Sequence, residues 1–194
     1  RLRAEHGLDA MNPERIRASV SNGARALVSL GLDINEDAPE FESKRLRLLD
    51  LYGQVLGTLA SPYPGIALLL VRLQERGIAW GISTNKPRAY TEPLLARLDI
   101  QPPPGSVVCP DDISNRKPHP ESLYRNCHEL QCAPHEAIYV GDHLRDIAAG
   151  RHAGMYTIAA AYGYIEPGDD PLCWGANAQA RRSDELLELI LGPQ

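Results

Sequence analysis

Three segments of the sequence hold side chains that can bind phosphate oxygens or a metal ion. Thr84 and Asn85 follow one short apolar run, and Lys117 lies in the loop after a second run. Asp142 and Asp146 follow a third run. A hydroxyl with backbone N–H groups that turn into a helix forms an anion site, a lysine neutralises negative charge, and a carboxylate is a ligand that Mg²⁺ prefers. Together these groups form the set that phosphoryl transfer requires.

The two acids lie four residues apart, so they share one face where the chain turns into a helix after Gly141. Asp142 is placed to ligate Mg²⁺, whereas Asp146 could hold a water of that metal or anchor Lys117. Each candidate also has a structural alternative. Thr84 could merely cap the next helix, Lys117 could be an ordinary surface lysine, and the acids could simply favour a helix N-terminus.

The elements that must position these groups alternate between strand and helix from residue 62 onward. Apolar runs predict strands at 78–83, 106–109, 137–140 and 156–161. Helical patterns predict helices at 66–77, 87–98, 120–130, 144–154 and 183–191. This alternation indicates an α/β fold with a parallel, Rossmann-like sheet covered by helices on both faces. Ligands of such sheets bind beyond the carboxyl ends of the strands.

The first 61 residues carry helical patterns and no strand pattern. Asn12, Pro13 and Glu14 predict the start of a helix, and apolar residues at near-helical spacing predict another over 39–59. The stiff segment SPYPG at 61–65 predicts a domain boundary. We therefore expect a helical cap domain over residues 1–61 and an α/β core over residues 62–194.

Composition excludes several classes of protein. The formal net charge of -5 and the pI of about 5.7 argue against a nucleic-acid partner. No apolar run approaches the ~18 residues that a membrane span needs, and the polar start RLRAEHG is not a signal peptide. The four cysteines lack metal-ligand spacing and predict reduced thiols. We expect a cytoplasmic monomer or homodimer that acts on a small molecule.

The combined motifs resemble those of the haloacid dehalogenase-like superfamily over most of the core. STNKP at 83–87 resembles its second motif, the lysine of NRKPHP at 115–120 its third, and GDHLRDIAAGRHAG at 141–154 its fourth. Within the superfamily, TNKP followed by KPxP is typical of phosphoglycolate phosphatases. AYGYIEPGDDPLCWGA at 161–176 is more similar still to the N-acetylmuramic acid 6-phosphate phosphatases of cell-wall recycling.

The resemblance implies a Mg²⁺-dependent phosphomonoesterase that works through an aspartyl-phosphate intermediate. Thr84 and the Asn85 amide would hold phosphate oxygens. Lys117 would stabilise the nucleophile and the transferring phosphoryl group. Asp142 would complete the Mg²⁺ site, with Asp146 beside it.

The resemblance also implies that the cap selects the substrate. The loop around Ser21, Asn22 and Gly23 matches the place where relatives hold substrate-selecting residues, and Arg25 in the same loop could bind a second anionic group. The structural alternative for Arg25 is a solvated charge on a helix.

The superfamily's first motif, a buried strand ending in Asp-x-Asp-Gly-Thr, does not occur in the sequence. Asp111 and Asp112 are adjacent rather than alternating, and no Gly-Thr follows them. In relatives this motif precedes the cap, and its strand would lie between the strands at 78–83 and 137–140. We therefore expect that the natural protein has this strand, that the present chain is incomplete and inactive alone, and that those two strands do not pair directly.

Three other functions stay open. The first two, phosphoglycolate phosphatase and phosphosugar mutase, share the fold. A mutase needs a cap that excludes water, and nothing in the sequence indicates one. The third is a non-catalytic scaffold that has lost its nucleophile, but such a scaffold has no need to keep Lys117, Asp142 and Asp146.

Overall fold

Parallel strands of three to five residues form two small sheets in the computed structural model, which describes residues 1–193. The first sheet pairs β1 with β2, and the second has the order β3-β4-β5. All three pairings are parallel, as the alternation of strand and helix predicts. The strands are β1 (Gly81–Ser83), β2 (Ser106–Val108), β3 (Ile138–Gly141), β4 (Tyr156–Ala160) and β5 (Ala178–Ala180).

The facing edges of β1 and β3 are not paired with each other. Within residues 1–193, β1 pairs only with β2, and β3 pairs only with β4. Direct pairing, at a spacing of about 4.8 Å, would have excluded a further strand between them. That such a strand lies there in the natural protein stays a prediction.

Nine α-helices lie in residues 1–193. Four of them are in the predicted cap: α1 (Leu2–Glu5), α2 (Pro13–Ser19), α3 (Gly23–Leu32) and α4 (Phe41–Val55). Five follow: α5 (Ile66–Glu75), α6 (Arg88–Leu98), α7 (Glu121–Leu130), α8 (Leu144–Ala153) and α9 (Leu186–Leu191). No helix in the described part of the chain is long and apolar enough to cross a membrane.

The start of α2 agrees with the sequence, whereas three other elements differ from it. Asn12 accepts a hydrogen bond from the Glu14 amide at 2.8 Å, as an N-cap residue does. The strand predicted at 78–83 is shortened to β1, because the amide of Ile78 donates to Leu73 O and closes the end of α5. Ser183 does not cap α9, because its hydroxyl donates to Pro64 O. Strand β5 was not predicted.

Four clusters of buried apolar residues hold the elements of residues 1–193 together, and the smallest consists of Ile147, Ala159 and Trp174. Leu69 and Leu70 of α5 pack with Ile158 of β4, and Trp80 and Val140 join that cluster. Residues of α7 and α8 form a second cluster that contacts Tyr139 of β3. The third cluster lies entirely in the first 61 residues and consists of Leu2, Val28, Phe41 and Leu51. Because Trp80 precedes β1 and Val140 lies in β3, the first cluster joins the two sheets.

Helix α8 must pack firmly, because its first turn carries Asp146. Ile147 is fully buried and Leu144 is 48% exposed. Replacing Ile147 by Ala should lower the free energy of unfolding by about 2–5 kcal/mol, because the lost side chain leaves a cavity. Leu144→Ala on the same helix should change it by less than about 0.5 kcal/mol. Urea unfolding measures both variants, and equal losses would contradict the packing described here.

Candidate active site

A nearly buried ion pair lies at the carboxyl ends of β1 and β3. Lys117 Nζ lies 2.7 Å from Asp146 Oδ1, and the two side chains are only 8% and 10% exposed. The same ammonium donates to Ser83 O at 3.0 Å and to Tyr139 Oη at 2.8 Å. All three protons of Lys117 therefore have acceptors within the protein. The structure places Asp146 as the anchor of Lys117, which is one of the two roles open to it from the sequence.

The charges in this cluster shift its pKa values. Burial alone disfavours the charged form of Lys117, but Tyr139 and Asp146 outweigh burial and raise the pKa of the lysine above its ordinary value. Burial also raises the pKa of Tyr139, so its hydroxyl stays protonated at neutral pH. Lys117 is therefore a firmly held cation beside the strand ends.

The loop after β1 presents donors that suit an anion. Thr84 Oγ1 accepts from the Lys86 amide at 3.0 Å, so the hydroxyl proton is left for another acceptor. The amide of Thr84 donates to Val108 O and ties the loop to β2. The amide of Asn85 has no acceptor within residues 1–193. Thr84 does not cap α6, which has no side-chain cap. It stabilises the turn before that helix and keeps a hydroxyl donor, and its role in binding phosphate stays a prediction.

Asn85 joins the loops after β1 and β2. Its side-chain amide donates to Lys117 O at 3.5 Å, and its Oδ1 is buried without a hydrogen-bond partner in the described residues. Ser83 O binds Lys117 on the other side. These contacts bring Thr84, Asn85 and Lys117 together, as their positions after neighbouring strands predict.

Asp142 follows the tip of β3 and is only partly buried. Its Oδ2 accepts the backbone amide of Tyr164 at 2.9 Å, and its Oδ1 has no partner within residues 1–193. The loop holding Tyr164 comes so close that a Cβ on Gly163 would overlap the Asp142 side chain. Asp142 is therefore held in place while one carboxylate oxygen remains available.

The donors around Asp142 fit part of a Mg²⁺ site. Mg²⁺ takes oxygen ligands and is commonly bound by one or two carboxylates together with water and substrate phosphate. The free Oδ1 of Asp142 suits such an ion, whereas Asp146 Oδ1 is already bound to Lys117. Residues 1–193 contain no group of three or more His, Cys, Asp or Glu side chains able to hold a metal. Asp142 can thus supply one ligand of the site.

The loop of Ser21, Asn22 and Gly23 in the predicted cap contacts the rest of the chain near the start of α8. Asn22 Nδ2 donates to Glu166 Oε1 at 2.7 Å, and Asn22 Oδ1 accepts from Arg145 at 3.0 Å. Ser21 lies in the same 3₁₀ turn, and Gly23 begins α3. Arg25 is directed elsewhere, because its guanidinium forms an exposed ion pair with Glu36 at 2.7 Å.

Other residues at the site carried no assigned role in the sequence. Tyr139 reads as an ordinary strand residue, yet its hydroxyl bonds to Lys117. Tyr164 holds Asp142 through its backbone, which no residue type reveals. Lys86 donates to the cap hydroxyl of Tyr52 at 2.6 Å, so the phosphate loop also contacts the cap. Gly163 and Tyr164 enter the sequence analysis only as part of the segment at 161–176 that resembles the N-acetylmuramic acid 6-phosphate phosphatases.

Asp111 and Asp112 serve the architecture of their loop. Asp112 Oδ2 accepts the Cys109 amide at 2.8 Å and also binds Arg88. Asp111 Oδ2 accepts the Arg88 amide at 2.8 Å. Both carboxylates therefore have structural partners. This agrees with the sequence, in which the two adjacent aspartates do not match the alternating aspartates of the first motif.

Comparison with known proteins gives a family and several relatives. Residues 1–160 match the model of the haloacid dehalogenase-like hydrolases. An N-acetylmuramic acid 6-phosphate phosphatase of Pseudomonas aeruginosa is 40% identical over 189 residues, which cover 97% of this chain and 84% of that protein. A phosphoglycolate phosphatase of Xanthomonas campestris is 35% identical over 191 residues, covering 98% of this chain and 86% of that protein.

Solved structures share the fold at lower identity. A crystal structure of a predicted phosphoglycolate phosphatase from Haemophilus somnus matches with a TM-score of 0.83 and 22% identity, covering 97% of this chain and 86% of that one. A putative beta-phosphoglucomutase from Thermotoga maritima matches with a TM-score of 0.79 and 19% identity, covering 100% of this chain and 88% of that one. Both confirm an α/β fold with parallel strands.

The charge of Lys117 should depend on Asp146. Replacing Asp146 by Asn should lower the pKa of Lys117, because burial remains while the carboxylate is lost. In the unmodified chain the folded-state pKa lies above the unfolded value of about 10.4. Protonated Lys117 therefore stabilises the fold below that pH, and this contribution is lost as the pH rises through the raised value. The variant should lose less stability at alkaline pH.

NMR titration of the Lys117 side chain measures that pKa directly, and unfolding between pH 8 and pH 12 follows the stability. Asp142→Asn is the control, because it leaves the partners of Lys117 in place. An unchanged Lys117 pKa in Asp146→Asn would contradict the anchoring role.

Proposed function

The chain belongs to the haloacid dehalogenase-like hydrolase family, and on that premise we propose that it is a Mg²⁺-dependent phosphomonoesterase whose substrate is N-acetylmuramic acid 6-phosphate. The observation that carries the proposal is the buried Lys117, bonded to Ser83 O next to Thr84 and to Asp146 after Asp142. The relative named for this substrate supports the choice among phosphate esters.

In this proposal the loop after β1 binds the phosphate. The Thr84 hydroxyl, which already accepts from the Lys86 amide, donates a hydrogen bond to one phosphate oxygen, and the unengaged Asn85 amide donates a hydrogen bond to another. Backbone and hydroxyl donors fixed before the substrate arrives need no reorganisation during the reaction. This loop therefore orients the phosphorus for attack.

Lys117 stabilises the negative charge of the transferring phosphoryl group. Its three N–H groups donate hydrogen bonds to Ser83 O, Tyr139 Oη and Asp146 Oδ1. A phosphoryl oxygen must therefore replace one of these acceptors. The neutral acceptors are the easier ones to exchange, because the Asp146 carboxylate holds the ammonium by charge. Asp146 then keeps Lys117 charged and aimed while it contacts the substrate.

Asp142 would hold Mg²⁺ through its free oxygen, while the Tyr164 amide fixes the other. The bound ion supplies positive charge that stabilises the phosphoryl oxygens. Gly163 makes this position possible, since any side chain there would displace Asp142.

The proposed nucleophile is an aspartate of the Asp-x-Asp-Gly-Thr motif, which is not part of these 194 residues. Its strand would pair with the facing edges of β1 and β3, completing a sheet that we propose is covered by helices on both faces. Its carboxylate attacks phosphorus, the alcohol leaves with a proton from the second aspartate, and water then cleaves the aspartyl-phosphate. Lys117 and Thr84 would then lie beside the reacting phosphoryl group.

Residues 1–61 form the proposed cap that selects the substrate. The contacts of Asn22 with Glu166 and Arg145 support a position of the loop at 21–23 near Asp142, three residues before Arg145. Arg25 is already paired with Glu36, so an anionic substrate group would compete with that carboxylate for its charge. Phosphoglycolate is the second candidate substrate, because a relative at 35% identity carries that name.

A substrate panel tests the proposal on the protein expressed from the start codon of its own gene in Escherichia coli. Phosphate release is measured with Mg²⁺ for N-acetylmuramic acid 6-phosphate, phosphoglycolate and glucose 6-phosphate. The first should show the highest kcat/KM, and Lys117→Ala serves as a control for contaminating phosphatases. A preference for phosphoglycolate would favour the second candidate, and hydrolysis of none would support a non-catalytic scaffold.

Asp142→Asn should lower Mg²⁺-dependent hydrolysis by about 100-fold or more, because the variant removes a charged ligand from the metal that stabilises the transition state. Asp111→Asn is a matched control, because the Asp111 carboxylate accepts a hydrogen bond from the Arg88 amide and has no role in the proposed metal site. Calorimetric titration with MgCl₂ should show that Asp142→Asn binds Mg²⁺ more weakly than the unmodified protein, whereas Asp111→Asn binds it equally well. Full activity in that variant would contradict the metal assignment.

A further inference from the structure

Seven arginines lie in the first 61 residues, and most have acceptors nearby. Arg25, Arg45 and Arg47 are paired with carboxylates. Arg1 bonds to Gln54, and Arg3 bonds to two backbone carbonyls. The guanidinium groups of the other two, Arg15 and Arg17 in α2, have no hydrogen bond or ion pair within residues 1–193. These two cations are therefore available to an anion that the structure does not contain.

Of these two, only Arg17 stacks on an aromatic ring of the described residues. Its guanidinium carbon lies 4.3 Å from the centroid of the Tyr164 ring. Such stacking uses the face of the guanidinium plane and leaves the N–H donors, which lie in that plane, free to bind a carboxylate. Arg17 is thus oriented by the core without being neutralised by it.

The ring beneath Arg17 belongs to the residue that holds the proposed metal ligand. The Tyr164 amide donates to Asp142 Oδ2 at 2.9 Å, so one residue connects Asp142 to the cap cation. Arg145, the nearest cation from α8, is engaged by Asn22 and His143. Arg17 is therefore a cation without an ion pair in the described residues, and it lies against the residue holding the proposed metal ligand.

We propose that Arg17 binds a carboxylate of the substrate, at the end of the molecule away from the phosphate, and so selects phosphate esters that carry a second acidic group. The inference rests on the proposed function and assigns a specificity-determining residue within it. N-acetylmuramic acid 6-phosphate has such a carboxylate in its lactyl ether. N-acetylglucosamine 6-phosphate is the same phosphosugar without that group.

These two sugars form a matched pair of substrates for the protein expressed from its own gene. We expect the unmodified enzyme to prefer the carboxylate-bearing sugar in kcat/KM. Arg17→Met should reduce that preference by about tenfold, the effect of a charge-assisted hydrogen bond in a partly solvated setting. The loss should appear in KM for the carboxylate-bearing sugar, and kinetics with the other sugar should change little.

Arg15→Met is the control, because it removes a neighbouring cation whose guanidinium has no hydrogen bond, ion pair or ring contact within residues 1–193. Arg17→Lys should restore part of the preference, since the charge returns without the two-pronged geometry. Equal losses on both sugars would show a merely structural Arg17–Tyr164 contact and overturn the inference. An enzyme without a preference between the sugars would overturn it as well. Failure of the proposed function is distinct, because neither sugar would then be hydrolysed.

Discussion

The ion pair between Lys117 and Asp146 fixes the geometry of the whole site. Lys117 comes from the loop after β2, Asp146 from the first turn of α8, and their shared partners Ser83 and Tyr139 from β1 and β3. Removing one member of a buried pair leaves an uncompensated charge, at a cost of about 3–5 kcal/mol. Native domains are stable by only about 5–15 kcal/mol. The strand ends therefore cannot separate without a large loss of stability.

The cap and the core meet through contacts of a different kind. The buried residues of the cap cluster, such as Val28 and Phe41, pack among themselves. Across the boundary, the contacts include Lys86 with Tyr52, Arg97 with Leu56 O, and Asn22 with Glu166. These are polar contacts of the sort found between domains rather than within them. Residues 1–61 thus have a buried cluster of their own, and their contacts with the rest of the chain include polar groups that water can also satisfy.

The site residues on strand ends could be predicted from the sequence because parallel strands direct their carboxyl ends to one edge. That reasoning reached Thr84, Asn85, Lys117, Asp142 and Asp146. It missed Tyr139, since a tyrosine inside a strand looks like any core residue. It also gave no reason to distinguish Arg17 from Arg15, because only the fold shows that Arg17 stacks on Tyr164.

The same limits explain the differences in the fold. Ala178–Ala180 contains none of the β-branched or aromatic residues that indicate strands. Its strand conformation therefore comes from pairing with β4 rather than from its residue types. Serine is a common helix cap, but the Ser183 hydroxyl donates its hydrogen bond to the carbonyl of Pro64 instead. Tertiary partners decided both cases, and a local pattern holds no information about them.

The two glycines beside the carboxylates limit how this site can be redesigned. A Cβ on Gly141 would overlap Asp146, and one on Gly163 would overlap Asp142. At these two positions the backbone itself packs against the carboxylates, so a side chain larger than hydrogen cannot be introduced without moving Asp142 or Asp146. The exposed faces of α2 and the cap loop have no such restriction. If the proposed function holds, substitutions that change the substrate belong in residues 1–61, because Gly141 and Gly163 leave no space for a side chain.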